Sequence, residues 1–236
     1  QQSETVIITG GAQRLGLAIA VALKNRGIDP VVTYRSQRPG LVKLTEMGIA
    51  TVHADFSTNQ GVETFLDWVK SEYSSLRAII HNASDWCAET PDSDHGEIMQ
   101  RMMQIHVNTP YLINLALAPL LERQNGLADI IHMTDYVQET GSKKHIAYAA
   151  SKSALHNLTL SFSSLLAPNV KVNSIAPALL MFNEYDDDIY KAKALKKSLM
   201  ERCPGADEAS KAVEYLLDSD YITGRCLSLD GGRHLK

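Results

Sequence analysis

Tyr148-Ala-Ala-Ser-Lys152 sets a phenol and an ammonium four residues apart in an alanine-rich segment. On a helix that spacing projects both side chains from one face. An ammonium beside a phenol favours the phenolate and lowers a pKa that is ordinarily about 10. Such a phenol is a usable proton donor near neutral pH. An isolated Tyr-x-x-x-Lys also arises by chance, as a solvated lysine beside a half-buried tyrosine. The surrounding sequence decides between the two.

Near the chain start stands Thr9-Gly10-Gly11-Ala12-Gln13-Arg14-Leu15-Gly16. Small residues between a strand and a helix let backbone N–H groups approach a pyrophosphate at the helix N-terminus. The spacing is not G-x-G-x-x-G, and tight packing can demand the same glycines. The strand before and the helix after favour a nucleotide site formed by Gly10, Arg14, Leu15 and Gly16. Tyr34-Arg35-Ser36-Gln37-Arg38 follows the second strand and carries no carboxylate. A carboxylate there would hold a ribose 2'-hydroxyl, whereas an arginine fork suits a 2'-phosphate. NADPH is therefore the expected cofactor, and NADPH suggests reduction. The alternative for Arg35 and Arg38 is ordinary surface charge. Asp55, in Ala54-Asp55-Phe56-Ser57, can accept from an adenine amino group or serve as a turn residue or helix cap. Asn82-Ala83-Ser84 forms a small-residue loop that can lie along the cofactor.

The elements that must position these residues alternate between short apolar runs and helix-length segments. Strands are predicted at residues 5–9, 30–34, 50–53, 78–81, 130–133, 170–175 and 226–229. Helices are predicted at 15–26, 40–47, 60–73, 94–123 and 147–166, the fourth disturbed near Pro110 and Pro119. Val- and Ile-rich strands separated by helices indicate a parallel sheet covered on both faces, an α/β doubly wound fold in three layers. Its chemistry belongs in the loops at the strand C-termini. No linker divides residues 1–236, which read as one domain. Residues 178–204 form an irregular insertion with an acidic run, Glu184-Tyr185-Asp186-Asp187-Asp188, which is either a solvated face or part of a lid over substrate.

Composition excludes other classes. A net charge of -4 and the lack of a Lys/Arg run give no reason to expect nucleic acid. No apolar stretch reaches membrane-span length. Gln1-Gln2-Ser3-Glu4 leads directly into a strand, without a charged-then-apolar signal segment. Cys87, Cys203 and Cys226 have no metal-ligand spacing, so no metal is expected. Free thiols in a reducing cytoplasm are the expected state.

These pieces together resemble the short-chain dehydrogenase/reductase family over essentially the whole chain. The resemblance rests on the Thr9-Gly10 turn, Asn82-Ala83, Asn108, Tyr148-x-x-x-Lys152, Pro177, Ile222-Thr223-Gly224 and Asp230-Gly231-Gly232, in that order. It implies a seven-stranded Rossmann sheet and a homotetramer. It also implies Tyr148 as proton donor, Lys152 on the nicotinamide ribose and Asn108 as anchor of a relay water. Two departures narrow the likeness. Arg14 replaces the middle glycine of the turn, and Asp135 replaces the catalytic serine. Both are similar to the pteridine reductase branch, as are Ser84 and Trp86, the latter where that branch stacks an aromatic on the pterin. His106-Val107-Asn108-Thr109-Pro110-Tyr111, Phe182-Asn183-Glu184 and Gly231-Gly232-Arg233-His234-Leu235 are similar to the branch's bacterial members that reduce dihydromonapterin.

That likeness implies hydride transfer from NADPH to C6 of a 7,8-dihydropterin with protonation at N5, on dihydromonapterin first and dihydrofolate second. A ring stacked on Trp86, with Arg14, Ser84, Asp135 and Tyr148 at its edge, would be held in register. A ketone reductase wants a neutral donor on the developing alkoxide, and a carboxylate repels that charge. Reduction of C=N instead needs a proton on nitrogen, which an acid such as Asp135 can feed. Two rival readings are a carbonyl reductase and a cofactor-binding regulator without turnover. Asp135 argues against the first, and the intact Tyr148, Lys152 and Asn108 against the second.

Overall fold

The computed structural model describes residues 4–236; Gln1, Gln2 and Ser3, the expected lead into the first strand, lie outside the described residues. Seven strands form one parallel sheet: β1 (Thr5–Ile8), β2 (Asp29–Tyr34), β3 (Ala50–His53), β4 (Ala78–His81), β5 (Ala128–Met133), β6 (Val170–Pro177) and β7 (Cys226–Leu229). Their order is β3-β2-β1-β4-β5-β6-β7. Chain direction across the sheet reverses between β1 and β4, so a crevice opens beyond their carboxyl ends. β1, β4, β5 and β6 are buried at every residue. Alternate side chains feed opposite layers, as the strand period requires. Ile7, Ile79, Ile130 and Val172 pack toward α3 (Asn59–Glu72), α5 (Thr109–Glu122) and α7 (Ile146–Leu166). Val6, Ile8, Ile80, Ile131 and Ile175 pack toward α1 (Arg14–Asn25), α2 (Gly40–Glu46) and α9 (Asp207–Asp218). Burying an isoleucine of this kind contributes roughly 2–3 kcal/mol, so both layers supply the driving force expected from the strand composition.

Three expectations about elements change. The predicted helix over 94–123 is α4 (His95–Met103), a π-helical turn (Gln104–Asn108) and α5. Thr109 N–H reaches back five residues to Gln104 O, and Pro110 next to it has no N–H to give. No break occurs at Pro119, which sits inside α5. Insertion 178–204 is not wholly irregular: α8 (Asp188–Leu195) lies within it, started by Asp187, whose side chain accepts from Tyr190 N–H. The acidic run thus works partly as a helix start. Helix α9 goes unpredicted, although Ala209, Ala212, Val213, Leu216 and Leu217 mark one buried face at helical spacing. The remaining short helix, α6 (Val137–Thr140), follows β5 beside the site. No helix among the described residues is long and apolar enough to cross a membrane.

Candidate active site

A cavity of about 800 Å³ opens at the crevice between β1 and β4. Among its walls are the predicted Gly10, Arg14, Leu15, Tyr34, Arg35, Ser36, Phe56, Asn82, Ala83, Ser84, Trp86, Asp135, Tyr148, Lys152 and Pro177. Gly16, Asp55 and Asn108 are predicted site residues that do not line it.

The glycine turn is tight for a physical reason. Gly10 has φ +66°, and a Cβ there would lie 2.7 Å from Ala83 Cα. Gly16 supports the turn from below: a Cβ there would meet Asn82 Nδ2 at 2.5 Å and Gly11 Cα at 2.6 Å. Asn82 Nδ2 donates to Thr9 O (3.2 Å) and Gly10 O (2.9 Å), while Thr9 Oγ1 accepts from the N–H groups of Asn82 and Ala83 (both 3.0 Å). The loops after β1 and β4 are thereby fastened together. Asp55 is a turn residue: its Oδ1 accepts from Ser57 N–H at 3.0 Å, and that bond holds its carboxyl below the ordinary range. Phe56 reaches the cavity in its stead.

These walls suit NADPH. The mouth beyond β2 carries Arg35, Ser36 and Arg38. Arg35 lies 3.9 Å from Asp85 Oδ2, but Asp85 is held more closely by Arg101, whose Nε donates at 2.9 Å. Arg35 therefore retains donors for a phosphate.

At the other end, Tyr148 Oη donates to Asp135 Oδ2 at 3.0 Å, and Asp135 Oδ1 accepts from Val137 N–H at 3.0 Å. α6 thus orients the carboxylate and α7 the phenol. Lys152, one helical turn beyond Tyr148, is buried and donates to Met133 O at 2.9 Å, with Nζ 5.5 Å from the phenol ring centre. Electrostatics here reverse the sequence expectation. Burial and the adjacent Asp135 push the Tyr148 phenol well above its ordinary pKa, so the phenol keeps its proton. Burial lowers the Lys152 ammonium to about 8, with Asp135 opposing. Burial also raises the Asp135 carboxyl, against the Val137 bond and the charge of Lys152.

Arg14 takes a left-handed backbone conformation, φ 52°. Its guanidinium donates to Asn183 Oδ1 at 3.0 Å and lies 3.5 Å from Met181 O and Phe182 O. The residue expected on phosphate and pterin therefore also ties the glycine turn to residues 178–204. Trp86 is exposed and stands edge-on to His145, ring centres 5.2 Å apart. It lines the cavity as well, so an aromatic surface is available there for stacking. Asn108 donates to Asn59 Oδ1 (2.7 Å) and Gln104 Oε1 (2.9 Å), away from Tyr148 and Lys152.

Sequence reasoning about the site missed Gln104, Arg101 and above all His106. The buried imidazole of His106 lies 2.8 Å from both Ser84 Oγ and Ser151 Oγ, and its ring meets Tyr148 edge to face at 5.4 Å. A histidine two residues before Asn108 was visible as part of a motif, but only the π-helical turn aims it at the site.

Comparison with known proteins agrees with this architecture. A family model described as Enoyl-(Acyl carrier protein) reductase matches residues 10–234. The chain is 54% identical to the dihydromonapterin reductase of Escherichia coli O6:H1, over 100% of this chain and 98% of that protein. It is 53% identical to that of Citrobacter koseri, over 98% and 97% respectively. Among solved structures, FolM alternative dihydrofolate reductase 1 from Brucella canis complexed with NADP has a TM-score of 0.87 at 23% identity, covering 98% of this chain and 94% of that one. That last likeness speaks to the fold alone. With a family model across nearly all its length and full-length relatives at 54% identity, the chain belongs to the short-chain dehydrogenase/reductase family.

Proposed function

We propose that the protein reduces a 7,8-dihydropterin to the tetrahydropterin, with NADPH as the reductant. The observation that carries this is the Tyr148–Asp135 hydrogen bond at 3.0 Å in the cavity wall, in a chain 54% identical to a dihydromonapterin reductase. NADPH, once bound, would supply the hydride that C6 takes. The protein has to bring a proton to N5. Tyr148 holds one because burial and Asp135 oppose its loss. Tyr148 gives that proton to N5 as C6 gains hydride, and the phenolate left behind regains one from solvent by way of Asp135, whose carboxyl burial raises and whose contact keeps the phenol oriented. Lys152 lies against the Met133 carbonyl and would hold the nicotinamide ribose, and its positive charge offsets the carboxylate.

Gly10, Leu15, Asn82 and Ala83 would hold the cofactor's pyrophosphate and adenosine side, Arg35 and Ser36 its 2'-phosphate, and Pro177 its nicotinamide side. Arg14, Ser84 and Trp86 would hold the pterin, dihydromonapterin first and dihydrofolate second. A ketone fits less well, because Asp135 places a carboxylate where an alkoxide would develop. A homotetramer is part of the proposal. It is supported by the family and by the exposed Tyr111 and Leu115 on α5 with Leu160 and Leu165 on α7. A cytoplasmic location accords with NADPH use and three free cysteines. The test is NADPH oxidation with dihydromonapterin, dihydrofolate and a ketone panel. Turnover on dihydropterins above ketones is expected, and the reverse order would refute the reading.

A further inference from the structure

His106 has one hydrogen-bonding state available to it. Asp85 N–H, which can only donate, points to Nε2 at 3.3 Å. Nε2 therefore accepts, and the ring proton sits on Nδ1. Nδ1–H donates to Ser151 Oγ at 2.8 Å, and Ser151 passes its own hydrogen to Tyr148 O at 2.7 Å. With Nε2 unprotonated, Ser84 Oγ at 2.8 Å must be the donor in that contact. The one hydrogen of Ser84 is then committed to His106, and its oxygen, which lines the cavity beside the Tyr148 phenol, is left as an acceptor. Burial and the nearby Lys152 hold the imidazole neutral, so this arrangement persists at ordinary pH.

We infer that His106 is a positioning residue which makes Ser84 an obligate hydrogen-bond acceptor toward substrate and pins the backbone that carries Tyr148. The inference rests on the dihydropterin reading and adds a rule of specificity to it. Ser84 takes an N–H of the bound ring and has nothing to give to a carbonyl. A heterocycle rich in N–H groups gains a contact here that a simple ketone does not.

Nitrogen NMR of the wild-type protein labelled at histidine tests the first half without any substrate. Protonated Nδ1 and bare Nε2 at His106 are expected; protonated Nε2 would overturn the inference. Steady-state kinetics test the second half. Ser84→Ala and His106→Phe should each raise the dihydropterin KM about tenfold, the loss of one hydrogen bond, with the NADPH KM unmoved. The double variant should have a dihydropterin KM no worse than that of His106→Phe alone. His106→Gln can offer an amide oxygen to both donors and should recover most of the loss, which a merely space-filling role would not predict. Additive effects, or an unchanged dihydropterin KM in both His106→Phe and His106→Gln, would overturn the inference. Wild-type protein inert on every dihydropterin would instead refute the functional reading, and the NMR result would still stand by itself.

Discussion

At the scale of single residues, the site works against the simplest reading of Tyr-x-x-x-Lys. A phenol beside an ammonium should lose its proton more readily, yet Tyr148 points at Asp135 while Lys152 points at a backbone carbonyl. The two lie on one helix face, as their spacing dictates, but the end of β5 and the loop after it decide what each meets. Asp135→Asn should therefore let Tyr148 titrate at lower pH, read from the tyrosine ring carbon by NMR; an unmoved titration would mean burial alone holds the proton. The same variant should lose turnover, and Tyr148→Phe should lose about 10²–10⁴-fold in kcat while still binding NADPH.

Lys152 gives a second prediction at this scale. Its folded pKa is about 8 against an ordinary 10.5. Below pH 8 the fold bears the full cost of the buried charge, about 3 kcal/mol. Between pH 8 and 10.5 the unfolded chain binds more protons, so stability rises with pH. Lys152→Met should be inactive yet more stable at pH 7, and should lack that alkaline rise in urea denaturation. A less stable variant would contradict this.

At the scale of elements, the strands and the glycine turn were legible because their causes are local. Val- and Ile-rich runs, a strand-to-helix turn of small residues and missing carboxylates after β2 each speak for themselves. Gly10→Ala should weaken NADPH binding and lower stability by more than about 1 kcal/mol, since it adds left-handed strain to a 2.7 Å collision with Ala83. Unchanged binding by fluorescence titration would show that the turn can adjust.

Less legible was whatever depends on tertiary contact. The π-helical turn, Asn108 turned toward Asn59, and Arg14 reaching Asn183 arise only when distant segments meet. The same holds for the chain His81–Asn114–His132–Thr159, which joins β4, α5, β5 and α7 through bonds of 2.7, 3.0 and 2.8 Å. Burial lowers His81 to about 4 from 6.5. Its stabilising effect is complete above pH 6.5 and falls away as pH drops toward 4. Wild-type stability should thus fall by about 2 kcal/mol from this group alone on going from pH 7 to pH 5. His81→Gln should flatten part of that loss in urea melts at the two pH values.

At the scale of the whole molecule, the parallel sheet brings three chemistries to one crevice. The loop after β1 and the loop after β4 close the cofactor end, the loop after β5 brings Asp135, and α7 brings Tyr148 and Lys152. Ala178, Leu179, Leu180, Met181 and Asn183 line the far side, and Arg14 ties Asn183 back to the glycine turn. On the outside, α5 and α7 leave Tyr111, Leu115, Leu160 and Leu165 exposed. If these form the subunit contact of a homotetramer, Leu165→Glu should shift the mass found by light scattering to smaller species without changing the fold. A monomeric wild type would remove that element of the proposal.

In the proposed reaction this cavity reduces the C=N bond of a dihydropterin, with the Tyr148–Asp135 pair managing the proton. This reaction is tested most directly by comparing NADPH oxidation by wild-type and Asp135→Ser protein on dihydromonapterin and on ketones. Wild type should oxidise NADPH briskly with dihydromonapterin and little with ketones. Asp135→Ser should lose most of the turnover on dihydromonapterin with the NADPH KM nearly unchanged. Equal or better dihydropterin turnover by Asp135→Ser, or wild-type activity confined to ketones, would contradict it.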